Sequence, residues 1–257
     1  MSVSAEAQPP TVIQNPLPSG QVHCWGNNNE GQCSPPDDLG PVTVVAAGSG
    51  HACAIQLDGQ VVCWGSNAFG KSQVPTDLGT TTTLSAGASH TCAIKIDGQV
   101  RCWGGNTDLQ AQVPAGLGSA VSVSTGHQHS CALLDGGDVQ CWGNNDHGQL
   151  NVPTDLGAVR DVAAAGHHTC ALETEGAIQC WGDNRKGQTE VPPDLMSSKA
   201  VAVGDFHTCS ISNDGVTQCW GAADSTLLSA PTDIGETHQI ASGRKHSCSV
   251  QDQGELT

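Results

Sequence analysis

Tyrosine is absent from this 257-residue chain, and phenylalanine and methionine occur twice each. A core of large aromatic side chains is therefore excluded, and what remains to build one is Val, Ala, Leu, Ile, Cys and six Trp. Such residues suit thin, closely packed sheets. Cations are as scarce: nine Lys and Arg stand against 25 Asp and Glu, a formal net charge of −16. Nucleic-acid affinity rests on Lys and Arg neutralising phosphates, so no nucleic acid is expected as a partner. An anionic membrane surface is disfavoured for the same reason. No apolar run approaches the length of a membrane span, so no membrane insertion is expected. Helical periodicity is missing throughout. The start of the chain lacks the basic and apolar stretches of a secretory signal. Pro9, Pro10, Pro16 and Pro18 make residues 1–19 read as a flexible leader, so a secreted form would have had its signal removed already.

Glycine is abundant, at 32, and proline and cysteine number 13 each, which implies many turns. The chain is periodic. Trp25, Trp64, Trp103, Trp142, Trp181 and Trp220 are 39 residues apart, each preceded by Cys: Cys24, Cys63, Cys102, Cys141, Cys180 and Cys219. A second series, Cys53, Cys92, Cys131, Cys170, Cys209 and Cys248, keeps the same step, with His two residues earlier at 51, 90, 129, 168, 207 and 246. Within one unit, residues 81–114, TTTLSAG, HTCAIKI and the strand after DG read as three short strands. GNTDLQAQVPAGLG reads as a long connection with Asn, Pro and Gly in turn positions. Strand-only repeats of about 40 residues indicate propeller blades.

The expected fold is all-β, a closed β-propeller of six three-stranded blades over residues 20–257, with seven as the alternative. The chain ends on two strands of a blade (HSCSVQDQGELT) and starts, at Gly20, on the third (GQVHCWG). The termini would then share the sixth blade, which removes free sheet edges.

Within a unit the two cysteines are ten residues apart around a DG turn. A three-residue hairpin loop ending in a left-handed Gly would set them opposite each other, within disulfide reach. The expected bridges are Cys53–Cys63, Cys92–Cys102, Cys131–Cys141, Cys170–Cys180, Cys209–Cys219 and, across the closure, Cys24–Cys248. They imply an oxidising compartment: the extracellular space, a periplasm, a lumen or a cell surface. The competing reading is a reduced Cys/His metal site. This spacing supplies two ligands per blade and no route to the four that structural zinc takes. Cys33, in a loop, is left over, as a capped thiol or an intermolecular crosslink.

The units HACAIQLDGQVVCWGSNAFG, HTCAIKIDGQVRCWGGN and HTCALETEGAIQCWGDNRKGQ resemble repeats of the regulator of chromosome condensation superfamily, over essentially residues 20–256. In style they are closest to its secreted β-lactamase-inhibitor type. The resemblance implies a propeller, although members usually have seven blades. Nuclear members promote nucleotide exchange on a small GTPase and bind chromatin, and this chain lacks the basic surface for that. The inhibitor type uses an aromatic face, whereas here only Phe69 and Phe206 lie outside the repeat frame.

The recurring His and Trp read as structure, because every blade meets its neighbour in the same way while an active site needs dissimilar residues converging. No phosphate loop, nucleophile elbow or H-E-x-x-H occurs. No catalytic residue, cofactor or bound metal is expected. Asp38, Asp77, Asp155, Asp194 and Asp233, with Gly116 in the same series, would form an acidic rim. They read either as turn residues bonding local N–H groups or as a rim attracting a cationic partner or Ca²⁺. Asn28, Asn67, Asn106, Asn145 and Asn184 read as turn chemistry or glycan contacts. Departures from the repeat mark where a specific interface would sit: His23, His127, His147, His167 and His238, the pairs Arg185–Lys186 and Arg244–Lys245, and the connection 222–230. The expected function is a non-enzymatic extracellular scaffold for protein recognition or assembly. The alternatives are a carbohydrate-binding lectin and an inhibitor of a secreted enzyme.

Overall fold

The structure, a computed structural model, describes residues 20–222, 236–244 and 246–251, the side chains of 250 and 251 excepted. The leader 1–19, Asp233, Lys245 and nearly all of the connection 222–230 lie outside the described residues.

Five three-stranded antiparallel sheets follow one another along the chain. They are β1 (Val42–Ala47), β2 (His51–Gln56) and β3 (Val61–Gly65); β4 (Thr81–Ala86), β5 (His90–Lys95) and β6 (Val100–Gly104); β7 (Ala120–Thr125), β8 (His129–Leu134) and β9 (Val139–Gly143); β10 (Val159–Ala165), β11 (His168–Glu173) and β12 (Ile178–Gly182); β13 (Ser198–Val203), β14 (His207–Ser212) and β15 (Thr217–Gly221). A sixth sheet pairs β16 (Thr237–Ser242) with β17 (Ser247–Gln251). This is the repeat architecture of a β-propeller.

In each of the five three-stranded blades the middle strand is buried almost end to end, because neighbouring blades cover both of its faces. The hairpin after it turns through a left-handed Gly, such as Gly59 and Gly98, both at φ 80°, and fixes the register. That register sets Cys53 opposite Cys63 and Cys92 opposite Cys102. Five bridges form as expected, Cys53–Cys63, Cys92–Cys102, Cys131–Cys141, Cys170–Cys180 and Cys209–Cys219, with Cα atoms 4.0–4.1 Å apart.

The core lies between blades rather than within one centre. Cys53 and Ile55 of the first blade pack on Leu84, Ala93 and Trp103 of the second, and the next three interfaces repeat this with equivalent residues. A polar chain crosses the same interfaces. His51 Nε2 meets Thr91 Oγ1 at 2.8 Å, and Thr91 Oγ1 donates to the Lys71 carbonyl, which also accepts Trp103 Nε1. His90–Ser130, His129–Thr169 and His168–Thr208 do likewise at 2.8–3.0 Å, and His207 Nε2 meets Ser247 Oγ at 2.8 Å. Where the hydroxyl spends its hydrogen on a carbonyl, His Nε2 must be the donor, and burial, which disfavours the charged form, keeps the imidazole neutral. Burial accordingly pushes His51 and His90 down to about 4 and His129 and His168 to about 3, with neighbouring cations and imidazoles adding to the effect. The framework histidines are structural.

The sixth blade departs from this scheme. Segment 20–26 docks on the first blade as a preceding third strand would: Gly20 and Val42 exchange backbone hydrogen bonds, and Val22 and Cys24 pack near Leu39, Ala52 and Trp64. On the other side, β16 and β17 stack on the fifth blade through His207–Ser247. Among the described residues, however, no strand ladder joins 20–26 to β17.

Cys24 and Cys248 are free thiols, which corrects the expected sixth bridge: the two halves rest on different neighbours and never come into the hairpin register that sets the other pairs opposite. Trp25 is 71 % exposed while its five equivalents are 6–7 % exposed, and Val45 is 49 % exposed where Leu84 and Val123 are buried. The sequence carries a signal of this seam. The hydroxyl series Thr91, Ser130, Thr169, Thr208 and Ser247 has Ala52 at its first place, so His246 has no hydroxyl to meet there.

Candidate recognition face

The blade register divides the repeat's loops between two faces. Each DG turn joins the second and third strands at one end, and the P-x-D-L-G turn leads into the next first strand at that same end. The G-x-x-H turn and the W-G-x-N-x-x-G-Q loop share the other end, where His51 pairs with Gly65 and His129 with Gly143.

The expected acidic rim lies on the DG face. Asp38, Asp77, Asp155 and Asp194 are exposed. Their turns close through backbone bonds instead, such as Leu39 N to the Pro36 carbonyl and Leu78 N to that of Pro75. Asp77 pairs with Arg101 at 3.6 Å. Among the described residues, no group of three His, Cys, Asp or Glu is placed to hold a metal ion. A hollow of about 280 Å³ between Gln60 and Gly79 is lined by turn residues without a titratable side chain.

The opposite face has a repetitive frame and a variable surface. Asn28, Asn67, Asn106, Asn145 and Asn184 each accept the N–H five residues on, at 2.7–3.2 Å, which is turn chemistry. Cys33 supplies one of those N–H groups, and its thiol donates to the Asn27 carbonyl at 3.3 Å, a capped thiol. Gln110, Gln149 and Gln188 tie each loop tip by accepting a backbone N–H two residues back. Lys71 stands in that series, its ammonium buried and donating to the Ser49 and Ala88 carbonyls; burial lowers its pKa.

What this frame displays changes from blade to blade. The G-x-x-H turns carry Ser49–Gly50, Ala88–Ser89, His127–Gln128, Gly166–His167, Asp205–Phe206 and Arg244. The loops before Gln and Lys71 carry Glu30, Phe69, Asp108, His147 and Lys186.

The structure brings together most of the departures noted in the sequence. The His127 and His147 rings both contact His167, with centroids 5.1 and 4.9 Å from it. His127 Nε2 lies 3.0 Å from Asp205 Oδ1. Arg244 Nε lies 3.1 Å from Asp205 Oδ2, an ion pair without hydrogen-bond alignment. Beside them Arg185 grips buried Asp183 through Nε and Nη2, both at 2.9 Å, and holds its carboxyl down to about 2 against the opposing effect of burial. Burial, then the neighbouring imidazoles, lower the pKa of His167, while Asp183 and Asp205 oppose them. Asp183, Arg185, Lys186 and Phe206 line a hollow of about 320 Å³. His23 and His238 lie elsewhere, on the surface of segment 20–26 and on β16.

Two exposed apolar side chains project from neighbouring loops of this face, Phe69 and Leu109, both with left-handed backbones at φ 64° and 65°. Leu109 occupies the place that Gly31, Gly70, Gly148 and Gly187 hold in the other loops. Sequence reasoning missed it, although the change from Gly to Leu within the repeat was visible.

The description "Regulator of chromosome condensation (RCC1) repeat" belongs to a family model that matches residues 42–71, 82–110, 120–149 and 159–188. Among solved structures, the CRINKLY WD40 ectodomain of the Arabidopsis thaliana receptor kinase ACR4 is 30% identical, over 82% of this chain and 75% of that one, with a TM-score of 0.68. The entire ectodomain of the Physcomitrella patens receptor kinase CR4 is 24% identical over 84% and 60%, at a TM-score of 0.71. Prp20p of Saccharomyces cerevisiae, whose structure was described with its binding properties to Gsp1p and histones, is 17% identical over 90% and 78%, at 0.77. The last two likenesses carry the fold alone. No curated protein matches. With the repeat model on four blades and an ectodomain at 30% identity along most of both chains, the protein belongs to the RCC1 repeat family.

Proposed function

We propose that this chain is an extracellular, non-catalytic protein-recognition module that binds its partner with the face carrying the G-x-x-H turns. One observation carries the reading. The repeated His, Trp, Asn and Gln are spent on stitching blades and tying loops, whereas six departures from the repeat, His127, His147, His167, Arg185, Lys186 and Arg244, stand together on one face. An extracellular setting agrees with the five disulfides, which persist in oxidising compartments, and with the 30% identity to the receptor-kinase ectodomain of ACR4. Protein interfaces are enriched in aromatic and Arg side chains, and Phe69, Arg185 and Arg244 meet that description, with Leu109 exposed beside Phe69 as further apolar surface.

The test is crosslinking capture from the source's secreted and surface fraction with three baits: the native chain, Phe69→Glu/Leu109→Glu, and Leu57→Glu/Ile96→Glu on the DG face. The same protein should be recovered with the first and third baits and lost with the second. Loss with the third alone would assign recognition to the DG face.

A further inference from the structure

Lysine and arginine are rare in this chain, and their placement is uneven. Of the nine, four form the only adjacent pairs, Arg185–Lys186 and Arg244–Lys245. Lys95, Arg101, Arg160 and Lys199 belong to the strands and the DG end, and Lys71 is buried. The exposed cations described on the recognition face are therefore Arg185, Lys186 and Arg244, all in one sector, on a molecule whose net charge is −16.

These cations are mounted in a particular way. Asp183 and Asp205 are buried beneath them, Asp183 bonded to Arg185 through Nε and Nη2 and Asp205 paired with Arg244 Nε at 3.1 Å. The side chains above remain 67 % and 75 % exposed. Bonded to Asp183 through Nε and one Nη2 hydrogen, the Arg185 guanidinium keeps its two Nη1 hydrogens and the second Nη2 hydrogen for a ligand, and Arg244 touches Asp205 as an ion pair only. Lys186 stands beside Arg185 on the rim of the hollow, with Phe206 as an apolar wall. Three positive and two negative groups leave this spot cationic before any histidine protonates. Further round the same face Asp108 is held by Gln128 and Asn144, and Asp146 by Asn144, a negative flank that would confine an anion to the hollow.

We infer that this hollow takes carboxylate side chains from an acidic segment of the partner protein, an assignment that rests on the proposed recognition face. A planar carboxylate suits the free edge of a guanidinium better than a point cation would. A peptide, rather than an acidic glycan, is favoured by Phe69 and Leu109 on the same face: an isolated leucine offers sugars no stacking platform but suits an apolar pocket on a protein.

The probe is fluorescein-labelled hexaglutamate, followed by anisotropy at about 20 mM and about 150 mM salt, where screening lengths differ twofold or more. Saturable binding that weakens with salt is expected. Lys186→Gln, which breaks no described side-chain bond, and Arg244→Gln should each raise Kd about tenfold, equivalent to one charge-assisted contact. Lys199→Gln, an equal charge change at the DG end, should leave Kd alone. Arg185→Lys, which keeps the charge and loses the fork, should weaken binding less than Lys186→Gln. No saturable binding at low salt, an equal loss with Lys199→Gln, or equal affinity for hexalysine overturns the inference. Tighter binding of an oligouronate overturns it in favour of an acidic glycan. If hexaglutamate fails while partner capture is still lost on Phe69→Glu/Leu109→Glu, the face stands and only the acidic ligand falls.

Discussion

The sealed interfaces between blades and the seam at segment 20–26 are built from one repeat, yet they end in different states. At a sealed interface a Trp is buried, an imidazole meets a hydroxyl and a disulfide spans the blade behind it. At the seam Trp25 is exposed, Ala52 stands where the hydroxyl should be, and Cys24 and Cys248 are reduced. The middle strands contribute the same HxC core in both places. What differs is whether two pieces of one sheet enter a common ladder. In this propeller, packing between blades needs only neighbours, while the disulfide needs the hairpin register, and register comes from a short local turn.

The largest effect expected to separate the two regions is acid sensitivity. His51, His90, His129, His168 and His207 sit neutral in sealed interfaces, with pKa values lowered by burial, to about 4 or about 3 for the first four. In the unfolded chain they titrate near about 6.5. Their contribution is complete above that value and is lost as pH falls toward 4, because the unfolded chain takes up protons that the folded one refuses. Melting temperature between pH 7 and pH 4.5, above the range of ordinary carboxylates, should therefore fall steadily. His168→Gln should make that decline shallower, and an unchanged slope would remove the buried imidazoles as its source.

Tryptophan gives the next contrast. Trp142→Ala in a sealed interface should destabilise by about 3–5 kcal/mol in chemical denaturation, the usual range for a buried aromatic. Trp25→Ala should stay within about 0.5 kcal/mol, as exposed substitutions do. Similar losses at both positions would mean that Trp25 packs in solution like its equivalents.

Disulfides follow at a smaller scale. Cys131→Ala/Cys141→Ala opens a bridge of sequence separation 10 and should lower stability by about 2–3 kcal/mol, the loop-entropy expectation for a short closure. Cys24→Ser/Cys248→Ser should leave the melting temperature unchanged. Thiol counting in denaturant should find three free cysteines, 24, 33 and 248.

The blades, their order and the five bridges were legible because they depend on local spacing: ten residues around a DG turn set two cysteines opposite each other wherever the hairpin forms. The sixth pair depended on an encounter between distant segments, which periodicity implies but no local turn enforces. Ala52 was readable as a break in the hydroxyl series only once the structure revealed that the hydroxyl receives an imidazole from the blade before. The same holds for the recognition face. His127, His147 and His167 stood out as departures from the repeat, but their convergence with Asp205 and Arg244 depends on neighbouring blades presenting different turn positions side by side. Asp38, Asp77 and Asp194, members of the most regular series in the sequence, are exposed residues of turns that backbone bonds close.

Leu109 supplies the smallest effect and the one in which stability and recognition should part. A leucine at φ 65° suffers the crowding between Cβ and carbonyl that glycine avoids, which costs about 1–2 kcal/mol for an ordinary L-residue. Its side chain is 55 % exposed and buries little in return. Leu109→Gly restores the residue found in the equivalent loops, and part of the relief is offset by the added freedom of glycine in the unfolded chain. A net gain of about 0.5 kcal/mol in denaturant midpoint is expected. Partner capture should weaken at the same time, since the substitution removes an anchor from the face. A residue kept only for folding would show the opposite pattern: Leu109→Gly would lower stability and leave capture unchanged.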